Sequence, residues 1–220
     1  MPRVSLATWN VRGMGGKKGF NKLLGYMEAT KSKTKLAVVM GQEHNARESE
    51  FHALREAAQM RGFQLIITAG YADNTQSSRG GVFVMINTNV LSVKKIVEEE
   101  AGFIRVKLEW GSEELDIANV YAPAKPAGRL EYYNTLRARL DKTTIVGGDW
   151  NTVGDKTLDV RSRDPLSYPN VGSSLLGQIM GDLGLVDERR EQLGQEREYT
   201  RTGPSAGGGE RTTSTRLDRW

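Results

Sequence analysis

The chain reads as an α+β protein built as a four-layer α/β/β/α sandwich, two mixed β-sheets stacked face to face and flanked by helices. Three observations carry this. Short apolar runs of strand length recur from the N-terminus to residue 146. Between residues 63 and 121 those runs follow one another with no helical segment among them, so neighbours pair directly. A parallel doubly wound sheet, which needs a helix after almost every strand, fits this less well. Elsewhere amphipathic helical segments interrupt the strands, and these would cover the outer faces of the sheets.

Residues 4–8 make the first strand. Residues 13–19, with four glycines around Lys17 and Lys18, read as a flexible basic loop. Residues 20–29 have helical spacing, with Leu23, Leu24 and Met27 on one face. A compact strand over 36–40 ends at Gln42 and Glu43. Residues 50–61 form a helix closed by Gly62, and 63–68 a strand. A polar loop over 72–78 leads to a strand over 81–86, which Asn87, Thr88 and Asn89 end. Three strands follow over 90–97, 104–110 and 115–121; the middle one alternates apolar and polar residues, as a half-buried strand does. After a loop over 123–128, residues 129–140 form an amphipathic helix with Leu130, Tyr133, Leu136 and Leu140 inward. A buried strand over 143–146 leads to a turn at Gly147 and Gly148. Residues 152–170 are polar and irregular, 173–183 helical, and 203–213 a mobile loop between short strands. With no repeat and no linker, residues 1–220 are expected to be one domain.

Composition closes off several chemistries. There are no cysteines, which excludes disulfides, thiolate zinc sites and cysteine nucleophiles. His44 and His52 are the only histidines, too few for a multi-histidine metal centre. No apolar run approaches a membrane span, and no basic-then-apolar leader opens the chain, so neither a membrane partner nor secretion is expected. Lys and Arg number 31 against 27 Asp and Glu, a net charge of +4. That mild excess is compatible with a polyanionic partner without establishing one.

The polar motifs sit where strands hand over to loops, the place where a β scaffold presents a site. Glu43 ends an apolar strand; its carboxylate is either solvated there or holds a cation. Mg²⁺ needs only one or two carboxylates beside its waters, so Glu43 with help from Asn10 suffices. Asp149 and Asn151 stand two apart after the double glycine. They either close an Asx turn or share a cleft, Asp149 taking a proton from water and Asn151 orienting that water. Asn119 and Tyr121, also two apart on a strand, share a face: a site wall or a polar sheet edge. Arg79-Gly80-Gly81 is either a turn or a backbone approach to phosphate. This mix of carboxylates, carboxamides and a phenol suits a hard divalent cation and a phosphate ester better than acyl transfer.

In order, Trp9-Asn10-Val11, Gln42-Glu43-His44, Arg79-Gly80-Gly81-Val82, Asn119-Val120-Tyr121-Ala122-Pro123, Gly147-Gly148-Asp149-Trp150-Asn151, Tyr199-Thr200 and Arg216-Leu217-Asp218 resemble the endonuclease/exonuclease/phosphatase superfamily, whose members include DNase I, exonuclease III and the abasic-site endonucleases. The resemblance runs from Thr8 to Trp220 and implies a DNase I-like fold. It looks closest to the endonuclease domains of non-LTR retrotransposons. Arg12 stands where exonuclease III-type enzymes usually carry an acid, and Leu158-Asp159 with Arg161 also fits the retrotransposon group.

The resemblance implies roles. Glu43 would bind Mg²⁺ or Mn²⁺ with Asn10 nearby. Tyr121 would contact the scissile phosphate, and Asp149, with Asn151 beside it, would orient or deprotonate the attacking water. Asn119 would belong to the same wall and contact DNA, and Thr200 would contact DNA or the phosphate. Asp218 would hold a catalytic histidine from a Ser-Asp-His motif expected beyond residue 220. On that expectation the chain is truncated and impaired, and the full protein continues to a reverse transcriptase domain. Arg12, Lys17, Lys18 and Arg79 are the candidates for gripping DNA. The expected activity is an Mg²⁺-dependent endonuclease that nicks double-stranded DNA and leaves a 3′-hydroxyl for target-primed reverse transcription. The location would be nuclear for a eukaryotic retrotransposon and otherwise intracellular. The alternatives are a catalytically dead nucleic-acid-binding remnant, an abasic-site endonuclease, or a phosphatase of the same superfamily.

Overall fold

The computed structural model describes residues 4–14, 16–34, 36–71, 80–162, 164–204, 212–215 and 218–219. The chain divides into two compact units, Met1–Tyr121 with Thr144–Gly148 and Ala122–Thr143 with Asp149–Trp220.

The first unit opens with β1 (Ser5–Asn10), α1 (Gly16–Thr34) and β2 (Leu36–Gln42), then α2 (Phe51–Gln59), β3 (Phe63–Ile67) and β4 (Val82–Asn87). These strands form one mixed sheet in the order β1-β2-β4-β3. The α1 crossover makes β1 and β2 parallel, while β4 runs antiparallel to both its neighbours. All seven residues of β2 are buried, because this sheet is covered on both faces, and its sequence is correspondingly apolar throughout. On one face Phe20, Leu24 and Met27 of α1 and Leu54 and Ala58 of α2 pack with Val39, Leu65 and Met85. On the other, β2 and β4 meet β6 (Phe103–Trp110) and β7 (Glu113–Tyr121). These belong to a second sheet, in which β5 (Ser92–Glu100), β6 and β7 form an antiparallel meander. The fold class is the predicted one, two mixed sheets flanked by helices.

Helix α1 begins at Gly16, inside the expected basic loop. Phe20, fully buried, draws this segment onto the sheet, so tertiary packing overrides the glycines' poor helix propensity.

The second unit contains α3 (Pro126–Arg139), the last residue of β8 (Thr144–Asp149), α4 (Lys156–Asp159), β9 (Val160–Arg161), α5 (Ser173–Leu183), α6 (Glu188–Leu193), β10 (Arg201–Pro204), β11 (Thr212–Thr215) and β12 (Asp218–Arg219). Helix α3 starts three residues earlier than expected, with Pro126 where a missing N–H costs nothing. Its buried stripe is Arg129, Tyr132, Tyr133 and Leu136, whereas Leu130, expected inward, is 39% exposed. Arg129 sets this rotation: its guanidinium donates to the carbonyls of Pro123, Ala124 and Val171, so each of its three nitrogens has an acceptor where the charged end is buried. The segment expected to be irregular holds α4, N-capped by the Asp155 carboxylate, which accepts from the amides of Thr157 and Leu158. Beyond it β9 joins β11 and β10 in a small sheet. The expected mobile loop is flanked by β10 and β11 as predicted, and residues 205–211 lie outside the described residues.

Candidate active site

Strands β1 and β2 end level, Asn10 beside Gln42. Their pairing continues past both ends: the amides of Val11, Gly13 and Met14 donate to the carbonyls of Gln42, Glu43 and His44 at 2.9, 2.6 and 3.0 Å. Arg12 and Glu43 take left-handed backbone there, with φ of 48° and 56°. Within this paired exit the Asn10 side chain is fixed at both ends. Its Oδ1 accepts the Arg12 amide at 3.1 Å and its Nδ2 donates to Glu43 Oε1 at 2.9 Å. The Tyr121 hydroxyl donates to the same oxygen at 3.1 Å. Two neutral donors thus hold one oxygen of the Glu43 carboxylate and aim the group without neutralising its charge.

Behind Glu43 lies a buried polar tie. Asn119 on β7 is completely buried; its Nδ2 donates to the carbonyls of Gly41 and Phe83 at 3.0 and 2.9 Å, and its Oδ1 accepts from Gln42 Nε2 at 2.7 Å. All the hydrogen-bonding groups of that amide face protein, so Asn119 holds the two sheets together and is not a surface for DNA, as the resemblance had implied. Gln42, to which sequence reasoning gave no role, also reaches the Thr8 hydroxyl at 3.0 Å.

His44 is 1% exposed. Its Nδ1 accepts the Ala46 amide at 2.9 Å, so the proton sits on Nε2 and goes to the Thr68 carbonyl at 2.7 Å. Burial pushes its pKa below the ordinary histidine value, opposed only in part by the Thr68 carbonyl and Glu50. It is a neutral, structural ring. Gly81 makes room for it: φ is +80°, and a Cβ there would stand 2.2 Å from Nε2. The Gly80 amide donates to Asn45 Oδ1 at 2.7 Å and is therefore already engaged. Arg79 lies outside the described residues.

In the second unit, Asp149 is buried at the end of β8 and accepts the Asn151 amide on Oδ1 at 2.9 Å, an Asx turn. Asn151 itself has φ of 48°, and its Nδ2 donates to the Ala122 carbonyl at 2.8 Å. The turn therefore lies at Asn151. Gly147 and Gly148, expected to form it, belong to β8. Gly148 serves close approach instead: a Cβ there would be 2.0 Å from the Val120 carbonyl oxygen. The turn is braced from below. The Tyr133 hydroxyl donates to the Trp150 carbonyl at 2.5 Å, and Asn170 Oδ1 accepts from the Thr152 hydroxyl and the Val153 amide at 2.7 and 3.0 Å. Next, the fully buried Asp159 accepts the amides of Gly154 and Asp155 at 3.1 and 3.0 Å, and Arg190 pairs with its other oxygen. Leu158-Asp159 was noticeable as a motif. Its partner, 31 residues away on α6, was not.

The structure brings Asn10, Glu43 and Tyr121 into one cluster, and Asp149 and Asn151 into one turn. Of the predicted DNA contacts, Arg12, Lys18 and Thr200 are exposed, and Lys17 lies in the first turn of α1. Asp218 lies in β12.

The donors around Glu43 fit a hard cation: a carboxylate steered by a carboxamide and a phenol. Among the described residues no three His, Asp or Glu side chains gather as a metal cage. An ion here would rest on Glu43, with waters and a phosphate completing its shell, the manner in which Mg²⁺ is commonly held.

No protein-family model matches the chain. Solved structures do resemble it. An AP endonuclease from Archaeoglobus fulgidus superposes with a TM-score of 0.67 at 18% identity, over 97% of this chain and 87% of that one. The 3′ phosphatase NExo from Neisseria, bound to a product DNA hairpin, gives 0.65 at 15% identity, over 94% and 85%. The endonuclease domain of TRAS1, a telomere-specific non-LTR retrotransposon, gives 0.60 at 18% identity, over 98% and 82%. At these identities the likeness is one of fold, and on it the resemblance read from the sequence is borne out: the chain has the DNase I-like fold shared by AP endonucleases, exonucleases and a retrotransposon endonuclease.

Proposed function

We propose that the chain is a divalent-metal-dependent phosphodiesterase that nicks double-stranded DNA and leaves a 3′-hydroxyl. The observation that carries this reading is the Glu43 carboxylate, held through one oxygen by Asn10 and Tyr121 on left-handed backbone at the end of two adjoining strands. Strained backbone at a polar cluster on strand ends is the kind of feature that clusters at functional sites.

Glu43, with Asn10 alongside, would hold Mg²⁺ or Mn²⁺. Bound there, the ion would offset charge that builds on the phosphate and make water a better nucleophile. The Tyr121 hydroxyl would contact a non-bridging phosphate oxygen. Asp149 would take the proton of the attacking water, kept in place by the Asn151 turn. Asp218 would orient a catalytic histidine, a role that His44, buried with both ring nitrogens engaged, does not fill. Arg12, Lys17, Lys18, Arg79 and Thr200 would meet the DNA backbone. The likeness to the TRAS1 domain supports a further step, in which the 3′-hydroxyl primes a reverse transcriptase domain of the same polypeptide.

The test is relaxation of supercoiled plasmid with Mg²⁺ and with EDTA, followed by end-group mapping. Mg²⁺-dependent open circles carrying 3′-hydroxyl ends are expected, at a reduced rate where the histidine that Asp218 would orient is not supplied, and strongly reduced again with Glu43→Gln. Release of inorganic phosphate from a 3′-phosphorylated end without nicking would replace the endonuclease by a phosphatase. DNA binding with neither activity would leave a binding remnant.

A further inference from the structure

Helix α1 carries five lysines and a single glutamate. Lys18, Lys22 and Tyr26 recur at intervals of four, so they stand in a row on one face of the helix, and all three are exposed. At the end of the row Tyr26, 57% exposed, meets Trp9, 44% exposed. Their ring centroids are 5.7 Å apart, edge to face at 63°. Trp9 immediately precedes Asn10, which grips Glu43, and exposed Arg12 lies just beyond.

A solvated helix face normally alternates charge sign. This row does not. Lys18 and Lys22 repel at i,i+4, and Glu28 points elsewhere, to Arg61 at 3.2 Å. Nor is the aromatic pair core packing, because both rings keep large areas in water. Cations in line with exposed aromatic rings are what a polyanion with free π-faces requires. Duplex DNA hides its base faces, and unpaired nucleotides present them.

We propose that Trp9, Tyr26, Lys18 and Lys22 form a surface for an unpaired stretch of DNA flanking the cleavage site, with a base stacked on the aromatic pair and phosphates along the lysines. This rests on the reading that the chain acts on DNA, and it adds a preference for substrates with a single-stranded flank over blunt duplex.

Fluorescence anisotropy in EDTA, with a labelled blunt duplex and the same duplex carrying a single-stranded flank, tests it. The unaltered chain binds the flanked probe more tightly. Trp9→Ala and Tyr26→Ala each lower affinity for the flanked probe by about tenfold, with the loss confined to that probe. Trp9→Phe and Tyr26→Phe retain most of the affinity, which separates stacking from damage to the fold. Lys22→Gln reduces the log–log salt slope for the flank by about 0.7. Equal affinity of the unaltered chain for both probes, or equal losses on both, overturns the surface. Plasmid nicking run in parallel reports on the nuclease reading alone: flank preference without nicking keeps the surface and removes the nuclease, and nicking without flank preference does the reverse.

Discussion

Among the described residues, four non-glycines have positive φ: Arg12, Glu43, Asn45 and Asn151. Arg12, Glu43 and Asn151 were candidates on sequence grounds, and Asn45, two residues beyond Glu43, accepts the Gly80 amide. Each such conformation costs on the order of 1 kcal/mol and persists only where the surroundings over-determine it. At Glu43 they do, through the β1 exit, Asn10 and Tyr121. Glu43→Gln keeps the shape and removes the charge. It is expected to slow Mg²⁺-dependent nicking by at least about 100-fold, equivalent to about 2.7 kcal/mol, while binding in EDTA changes little. Retained nicking in that variant would remove Glu43 from the site. The glycines give a paired test of packing. Gly81→Ala places a methyl 2.2 Å from a His44 ring fixed at both nitrogens, in backbone that L-residues avoid. A loss of about 3 kcal/mol is expected in denaturant titration. Gly25→Ala, in the interior of α1 with nothing within 4 Å of the new Cβ, should instead gain about 0.5–1 kcal/mol.

At the scale of elements, the cap of α4 and the tie at Asn119 are the parts whose energetics can be read. Asp155→Ala removes an acceptor from two amides and should cost about 1 kcal/mol. The Thr157 hydrogen bond, ahead of the smaller contributions from its amide and that of Leu158, holds the Asp155 carboxyl below its ordinary pKa. Because the folded pKa is the lower one, its contribution is present above the unfolded value near 3.9 and is lost as pH falls through the folded value. The stability gap between the chain and Asp155→Ala should therefore be constant from neutral pH to about 5 and narrow below about 4. A gap that widens in acid would contradict the cap. Asn119→Ala strips partners from two buried carbonyls and should cost about 3 kcal/mol. These same elements mark what the sequence discloses. Strands β2, β3, β4 and β6 were legible because apolar runs bounded by polar residues are local signals. Asn10, Glu43 and Tyr121 were legible because strand ends present them. The direction of α3 was not, because a buried Arg129 looks polar until its three carbonyl acceptors are known. Gly148 was read as a turn because its actual reason, contact with Val120 on another strand, has no local trace. The Asp159–Arg190 pair and the Gln42–Asn119 tie are likewise products of distant segments meeting.

For the molecule as a whole, the net charge of +4 is spread over 220 residues. At physiological salt, fields are screened within about 8 Å, so that excess cannot by itself draw a duplex to one face. No described helix is long and apolar enough to cross a membrane. On the proposed function, DNA affinity would come from a few local cations, and the number of them is measurable. If Arg12, Lys17, Lys18 and Arg79 each meet one phosphate of a blunt duplex, the slope of log affinity against log salt should be about −3.6, four times 0.9. Between 50 and 200 mM salt that is a loss of about 150-fold in affinity. Replacing any one of the four by glutamine should bring the slope to about −2.7. A flat salt response would mean that the binding is not made to the phosphate backbone. An unchanged slope in all four variants would place the contacts on other lysines and arginines of the chain.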